Sequence, residues 1–302
     1  MLAPMLRLDP TRPPAAPRDA ATVVVVRPGG PGLELFCVKR HAASGFLGGA
    51  VVFPGGKVSP ADRAPAWERA STPLGPRAAS VAPDPVSCRA FAIAALRELF
   101  EEAGILPLAG ASLDDTAVEN LRGELAARTP EGSDGSREFL ELLAERGLIL
   151  DTAALEAMAR WITPAAEERR YDTRFYVLCA PAGQSGRHDE HETTHSFWAT
   201  PSEILEAWEK DEIFLAPPTV RTVQLLARAN DVETARAIAR RQPLEPVCPF
   251  FAMDGDAAVL ALPGDPLYPE PAAPPADADA PTRFVLRDGR FVPERVAQRP
   301  SR

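Results

Sequence analysis

Apolar and polar positions along the chain predict a mixture of strands and helices. Short apolar runs at residues 22–26 and 33–38 flank a Pro-Gly-Gly-Pro-Gly turn and predict two paired strands. Because the strands come mostly as hairpins, the pattern does not favour a doubly wound parallel sheet. Further strands are predicted at residues 51–53, 174–180 and 195–199, helices at 114–128, 136–146, 201–210, 219–229 and 231–241, and hairpins at 250–262 and 283–292 around a Pro/Ala/Asp linker at 269–281.

One further helical segment carries a face of carboxylates. Residues 97–105 read R-E-L-F-E-E-A-G-I, and on a helix Glu98, Glu101 and Glu102 fall within roughly 100° of arc. Clustered carboxylates repel one another unless a cation lies among them, so this face predicts half of a site for a hard divalent ion. A solvated glutamate-rich face is the alternative that the pattern alone leaves open. The apolar side chains on the opposite arc are Ala92, Leu96, Leu99, Phe100 and Ala103.

A glycine turn upstream favours the functional interpretation. Residues 53–57 read Phe-Pro-Gly-Gly-Lys and bring bare backbone into position to approach an anion or a metal. Together with the glutamate segment, this turn resembles the Nudix hydrolase signature Gx5Ex7REUxEExGU, where U is a bulky aliphatic residue. Residues 97–105 match its second half and Gly56 its first glycine. Asp62 stands where the pattern has Glu, and 34 residues instead of seven separate it from Arg97.

The Nudix resemblance implies an α/β/α sandwich with a mixed sheet. Because loops lengthen at small entropic cost, the extra residues 63–88 are expected to form a surface insert, and residues 108–160 a mostly helical one. The predicted domain boundaries are a disordered arm at residues 1–19, a Nudix domain at 20–242, and a Pro-rich extension with short hairpins at 243–302.

A second resemblance concerns the substrate. Residues 40–56 carry the spacing found ahead of the signature in Nudix coenzyme A diphosphatases, with Arg40 and Gly49 in place. Gly45, followed by Phe46, stands where bacterial members have a second Arg, and is closer to the long-insert, peroxisomal-type acyl-CoA diphosphatase branch. Further positions similar to that branch are Trp161, residues 170–173, Trp198, Pro201 and residues 262–265, so the similarity extends over about residues 20–270.

This resemblance implies hydrolysis of the diphosphate of coenzyme A or an acyl-CoA, giving adenosine 3′,5′-bisphosphate and an (acyl-)4′-phosphopantetheine. Two alternatives stay open. The first is a nucleoside-diphosphate-sugar or dinucleotide diphosphatase acting on substrates such as ADP-ribose or NADH. The second is a non-catalytic nucleotide-sensing module, against which three retained carboxylates count.

The family pattern also implies the metal ligands. Glu101 and Glu102 would be the principal ligands of Mg²⁺ or Mn²⁺, joined by Glu98 and the carbonyl of Gly56. Glu98 would also orient or deprotonate the attacking water. Arg97 would hold a glutamate in its binding rotamer, so that Arg97 and the three glutamates form the predicted catalytic set.

A distal carboxylate is expected from residues 188–192. Glu192 stands six residues before Trp198, a spacing that resembles the family's later glutamate, and is a candidate ligand or base. Three histidines in this region raise the alternative of zinc. A loop is favoured here, however, and would not present them on one helical face. The histidines are His188, His191 and His195.

Basic residues near the glycine turn are candidates for substrate contacts. Arg40 and Lys57 could meet the diphosphate, and Arg170 could meet a 3′-phosphate. Lys39, Arg169 and Arg174 are further candidates of the same kind, and ordinary solvated cations are the alternative for each.

Composition narrows the setting. The 302 residues carry a net charge of −9, which argues against general nucleic-acid or membrane binding, and no apolar stretch approaches the ~20 residues that span a bilayer. The four cysteines, with no CxxC pair, fit reduced thiols in a cytoplasm. The expected partner is therefore a small diphosphate, with a homodimer left open.

Overall fold

The computed structural model contains a mixed α/β arrangement. It describes residues 8–30, 32–42, 44, 46–188, 193–270, 272, 275, 277 and 279–296. The strands are β1 (Arg18–Gly29), β2 (Gly32–Arg40), β3 (Val51–Val52), β4 (Gly55–Lys57), β5 (Glu156–Ile162), β6 (Tyr171–Cys179), β7 (Thr193–Ala199), β8 (Pro246–Val247), β9 (Phe250–Asp254), β10 (Ala257–Ala261), β11 (Arg283–Arg287) and β12 (Arg290–Glu294). The α-helices are α1 (Trp67–Ala70), α2 (Pro85–Ala103), α3 (Asp115–Arg128), α4 (Ser136–Glu145), α5 (Pro201–Glu209), α6 (Pro217–Leu226) and α7 (Val232–Arg241).

The main sheet is mixed, as the sequence predicts. Its strand order is β3-β2-β1-β6-β5-β8, with β4 added to β1 and β7 to β2. β1 pairs antiparallel with β2 and β4 but parallel with β6. The first half of β1 therefore holds the glycine turn at β4, and its second half holds β2.

Helices cover both faces of this sheet. In β1, Val23 and Val25 pack into a core with α2, α3 and α4, whereas Val24 and Val26 pack into a second core with α5, α6 and α7. Side chains alternate between the two faces of a strand, so a strand that is apolar throughout is covered on both sides. The expected α/β/α sandwich is confirmed.

Local sequence explains how the glutamate helix α2 begins and ends. Asp84 caps the first turn, since its carboxylate accepts a hydrogen bond from the Ser87 amide at 2.9 Å, and Pro85 occupies the first helical position. Gly104 ends the helix at φ 59°, a left-handed conformation that glycine adopts without strain. The helix thus starts inside the segment expected to be a surface insert.

The insert at residues 63–88 differs from the expected surface loop. Trp67 of α1 is fully buried, packs against Phe139 with ring centroids 5.8 Å apart, and donates a hydrogen bond to the Ala61 carbonyl at 3.1 Å. The expectation is wrong for α1 because the large apolar indole is covered by α4, an element distant in sequence.

Strand β5 lies at the end of the segment expected to be mostly helical. Helices α3 and α4 occupy the predicted positions, but Glu156–Ile162 is a strand between β6 and β8. Its Ala, Met and Arg residues do not favour a strand by themselves, and pairing within the sheet decides the conformation.

The boundaries at the two ends also differ from expectation. Residues 1–7 of the predicted arm lie outside the described residues, and β1 already begins at Arg18, which pairs with Tyr171. At the other end, β8 joins the main sheet beyond residue 242.

The strands of the C-terminal extension form a four-stranded antiparallel sheet in the order β12-β11-β10-β9. Leu260, Phe284 and Phe291 from this sheet pack into the second core, so the extension is integrated with the domain. Within the part of the chain that the structure describes, no helix combines the length and apolarity needed to cross a bilayer.

Candidate active site

Arg97 of α2 is the centre of the carboxylate cluster. Its guanidinium is 1% exposed and uses all five N–H donors. Nη1 donates to Glu98 Oε1 and Glu101 Oε2, both at 3.0 Å. Nε donates to Asp62 Oδ1 at 3.1 Å, while Nη2 donates to Asp62 Oδ2 at 3.2 Å and to the Lys57 carbonyl at 3.0 Å. Although burial opposes the charge, these carboxylates raise the pKa of Arg97, so it stays cationic.

Asp62 occupies the place under Arg97 despite the insert. Its side chain is fully buried and also accepts the Ser59 amide at 2.7 Å. Burial raises the pKa of Asp62, with Arg97 and the Ser59 hydrogen bond opposing the shift. The residues inserted between Asp62 and Arg97 do not separate the two side chains in space. Arg97 donates to both carboxylate oxygens of Asp62, so the two form a bidentate pair.

Glu101 offers an oxygen without a partner. Its Oε2 is bound by Arg97, whereas Oε1 is buried and has no hydrogen-bond partner. Burial, with a smaller contribution from the neighbouring Glu98 charge, raises the pKa of Glu101 to about 8, against the opposing effect of Arg97. A buried acceptor of this kind is costly unless a proton or a cation satisfies it.

The glycine turn lies directly against the glutamates. The Gly55 amide donates to Glu102 Oε2 at 2.9 Å. A Cβ atom at Gly56 would lie 2.3 Å from the carboxyl carbon of Glu98, so only glycine lets the backbone approach this closely. The structure therefore brings together Gly56, Arg97 and the three glutamates. The sequence predicts that these residues lie near one another, and their individual roles stay predictions.

The donor chemistry fits a hard divalent cation. Carboxylate oxygens and a close backbone are what Mg²⁺ and Mn²⁺ prefer, and the unsatisfied Glu101 Oε1 marks a place for positive charge. Among the described residues, however, no three His, Cys, Asp or Glu side chains already converge as a chelating group. Arg97 draws one oxygen of Glu98 and one of Glu101 toward itself instead.

A cleft of about 790 Å³ opens beside the glutamates. We call its two parts the carboxylate half and the apolar half. The carboxylate half is lined by residues 20–22, Arg40, residues 55–57, Arg97, Glu98, Glu101, Glu102, Glu119, Arg122, residues 123, 125, 126, 129 and 133–135. The apolar half is lined by Phe46, Leu47, Val52, Phe53, residues 161–164, Tyr171, Thr173, Phe175, residues 216–219, Pro249 and Leu260.

Of the six predicted substrate residues, Arg40 and Lys57 line this cleft, whereas Lys39, Arg169, Arg170 and Arg174 do not. Arg40 lines it with a buried Nε that has no hydrogen-bond partner, and Lys57 lines it beside the glycine turn. Arg170 is not a lining residue. Its guanidinium donates to the Thr163 carbonyl at 3.0 Å and the Ala15 carbonyl at 2.6 Å, which ties the N-terminal segment to a turn. Arg170 therefore holds the chain at this point, and its contact with a 3′-phosphate stays a prediction.

The predicted distal glutamate, Glu192, lies outside the described residues, as does His191. Nearby, the Nδ1 atom of His188 hydrogen-bonds to Ser196 at 3.1 Å, and its ring centroid is 6.3 Å from that of His195. Within the described residues these histidines form no metal-binding group, so the structure lends the zinc alternative no support.

Residues of the helical insert reach the cleft, which the sequence reasoning missed. Glu119 and Arg122 of α3 and Asp134 before α4 line the carboxylate half. Arg122 also donates to the Arg187 carbonyl at 2.8 Å, and Asp134 accepts the Ser136 hydroxyl at 2.6 Å. The Asp-Gly-Ser turn at 134–136 was a visible helix-start signal, but its place in the cleft depends on how the insert packs.

Comparison with known proteins agrees with this geometry. The model of the NUDT19 Nudix domain matches residues 75–226, which is half of the chain. This chain belongs to the NUDT19 Nudix family.

Relatives in the NUDT19 family extend the match over most of the chain. The acyl-coenzyme A diphosphatase NUDT19 of Gallus gallus is 31% identical over 84% of this chain and 80% of its own length. Its Homo sapiens counterpart is 30% identical over 88% of this chain and 77% of its own length. Among solved structures, a NUDIX hydrolase from Alicyclobacillus acidocaldarius is 28% identical, with a TM-score of 0.64 over 76% of this chain and 99% of that one.

Proposed function

We propose that this protein hydrolyses the diphosphate bond of coenzyme A or an acyl-CoA, giving adenosine 3′,5′-bisphosphate and an (acyl-)4′-phosphopantetheine. The observation that carries the proposal is a single cleft shared by the glutamate cluster and a long apolar wall. A diphosphate with an apolar arm matches both parts. The names of the chicken and human relatives, acyl-coenzyme A diphosphatases, support the same substrate class.

The reaction is proposed to use Mg²⁺ or Mn²⁺. When bound, such an ion neutralises non-bridging phosphate oxygens and activates a water for in-line attack. The residues proposed to hold it are Glu98, Glu101, Glu102 and the carbonyl of Gly56, with Glu192 as the candidate from outside the described residues. The buried, unsatisfied Glu101 Oε1 supports this set.

The other site residues then have separate tasks. Arg97 fixes the rotamers of Glu98 and Glu101 through its 3.0 Å contacts. Arg40 and Lys57 bind the diphosphate, and the unpartnered Arg40 Nε supports that assignment. Glu98 orients or deprotonates the attacking water.

Turnover of a substrate panel tests the proposal. Coenzyme A, an acyl-CoA, ADP-ribose, NADH and diadenosine polyphosphates would each be incubated with Mg²⁺ and with Mn²⁺, and the products identified by mass spectrometry. Release of adenosine 3′,5′-bisphosphate from coenzyme A or acyl-CoA is expected. A metal-free reaction and the Glu101→Gln variant are the controls.

Two outcomes would contradict the proposal. Cleavage of ADP-ribose or NADH without cleavage of coenzyme A would favour the nucleoside-diphosphate alternative. Binding of nucleotides with no cleavage of any compound would favour a sensing module. Cytoplasmic residence remains a prediction from the sequence, which leaves the oligomeric state open.

A further inference from the structure

The buried aromatic and aliphatic base of the apolar half lies on the other face of the main sheet from the glutamate helix, whereas Val52 at its edge packs on the glutamate-helix side. Phe53, Trp161, Phe175 and Leu260 all pack into the core formed with α5–α7, whereas α2 packs into the opposite core. Both halves nevertheless belong to one cleft, which passes the sheet beside β4 and the start of β1. A ligand at the glutamates can therefore extend past the sheet end into a separately built region.

The charges that line this cleft are confined to one half. None of the described apolar-half residues carries a formal charge. Its two continuous segments, residues 161–164 and 216–219, contribute three prolines and otherwise uncharged side chains. The charged lining residues, all in the carboxylate half, are Arg40, Lys57, Arg97, Glu98, Glu101, Glu102, Glu119, Arg122 and Asp134. A doubly charged 3′-phosphate would be poorly solvated in the apolar half and well matched by Arg40, Lys57 or Arg122.

We propose that the apolar half binds the acyl-pantetheine arm of an acyl-CoA thioester, and that the C-terminal extension sets the preferred chain length. The extension contributes Pro249 and Leu260 to the floor of this region, and Ala216 from the segment before α6 lines it as well. Leu260 is 1% exposed and Ala216 6% exposed, so both form the base of the cleft and not its rim. This inference rests on the proposed diphosphatase function and adds the location of the acyl chain.

The size of the expected effect follows from apolar burial. Each methylene removed from water contributes about 0.8 kcal/mol, which corresponds to about fourfold in a dissociation constant. Deepening or shortening the pocket by one or two methylenes should therefore move the preferred chain length by a similar number of carbons.

The experiment compares kcat/KM for coenzyme A and for saturated acyl-CoA thioesters from acetyl- to tetradecanoyl-CoA in steps of two carbons, which resolves a shift of this size. Leu260→Ala removes floor atoms and should shift the optimum to longer chains. Ala216→Leu adds atoms and should lower the ratio of decanoyl-CoA to coenzyme A turnover by about fivefold or more, mainly through KM. Leu286→Ala is the matched control, because Leu286 lies in β11 of the same C-terminal sheet but is exposed and outside the cleft.

Thermal melts identify any variant that fails to fold. If Leu260→Ala fails to fold, Ala216→Leu still tests the inference. An unchanged chain-length profile in a folded variant at either position overturns the inference while leaving the proposed hydrolysis intact. If no CoA ester is cleaved at all, the proposed function fails instead. Calorimetric binding of decanoyl-CoA and coenzyme A then decides: a preference for decanoyl-CoA that Ala216→Leu removes supports the apolar site, and equal or absent binding overturns it.

Discussion

At the residue scale, Arg97 compensates several negative charges with a single cation. It contacts Asp62, Glu98 and Glu101, and so holds the carboxylates of these two glutamates in defined positions. The pattern of residues 97–105 identified Arg97, Glu98 and Glu101. Arg97 is buried and bonds Asp62, Glu98 and Glu101 at the same time. This depends on β4 and on Asp62, which lie outside the helical pattern.

We expect Glu101→Gln to lower kcat by more than about 100-fold. Loss of groups that merely support metal ligands typically costs 10–100-fold, and Glu101 is proposed as a ligand itself. The fold should be retained, because glutamine has nearly the same shape as glutamate and the substitution removes the charge from a carboxylate with one buried, unsatisfied oxygen. Steady-state kinetics and a circular dichroism spectrum check both parts; activity near that of the native protein would rule out the metal assignment.

Gly56→Ala should weaken binding of Mn²⁺ by about tenfold or more. Removing a residue that only hydrogen-bonds to a metal ligand typically costs about 10–100-fold in affinity, and displacing the proposed ligand Glu98 itself should cost at least as much. The new Cβ would meet the Glu98 carboxyl at 2.3 Å and push it from its position. Gly30→Ala is the control, because a Cβ there meets nothing within 4 Å. Mn²⁺ titration by calorimetry measures the difference, and equal affinities in the two variants would contradict the close-approach argument.

At the element scale, the inserts contribute to the site and to its support. Ser59 follows β4, and its hydroxyl lies 2.8 Å from that of Ser136, the first residue of α4. Since the Ser59 amide also binds Asp62, α4 is linked through short contacts to the aspartate that holds Arg97. The helical insert is thus connected to the glutamate helix, and this connection brings residues 133–135 before α4 to the cleft.

Trp67→Ala should destabilise the protein by about 3–5 kcal/mol, the usual cost of truncating a fully buried aromatic side chain. Trp67 fixes the inserted segment under α4 through its contact with Phe139. Val86→Ala, at a side chain 44% exposed, should change the free energy of unfolding by less than about 0.5 kcal/mol. Urea denaturation of both variants provides the measurement, and similar small effects would mean that the insert packs loosely.

At the scale of the whole molecule, Asp172 of β6 connects several layers. It accepts hydrogen bonds from Arg160 of β5 at 2.9 and 2.7 Å and forms an ion pair with Arg174 at 2.7 Å. Arg174 in turn stacks on Phe91 of α2 and donates to the Val81 carbonyl of the insert. Burial lowers the pKa of Arg174, but an arginine remains charged at neutral pH.

Asp172→Asn should therefore destabilise the protein in a pH-dependent way. Burial opposes ionisation of Asp172, but Arg160 and Arg174 outweigh it and hold its pKa below the ordinary value of 3.8. The stabilisation is complete above pH ~4, where the unfolded carboxyl is also ionised, and is lost as the pH falls through the lower folded-state pKa. Above pH ~4 the cost should be about 3 kcal/mol, the lower end for breaking a buried pair, because Arg174 is buried whereas the Arg160 side chain is 30% exposed.

Chemical denaturation of the native protein and the variant at neutral pH and near pH ~3 checks this prediction. The difference in unfolding free energy should shrink at the lower pH. A difference that stays constant would show that the ion pairs do not control the effect.

The sequence by itself determined which charged side chains share the glutamate helix, and the position of most elements. The residue pattern at 97–105 placed three glutamates and an arginine on one helix, since helical periodicity is local, and alternating apolar runs located most strands. It did not determine β5, the burial of Trp67, or the hydrogen bond from Arg170 to the Ala15 carbonyl, because each depends on partners far away in the chain. Only the tertiary structure decided that the glutamates share a cleft with an apolar wall to which the C-terminal extension contributes Pro249 and Leu260. Such a cleft forms between elements, and no local pattern specifies which elements will face each other.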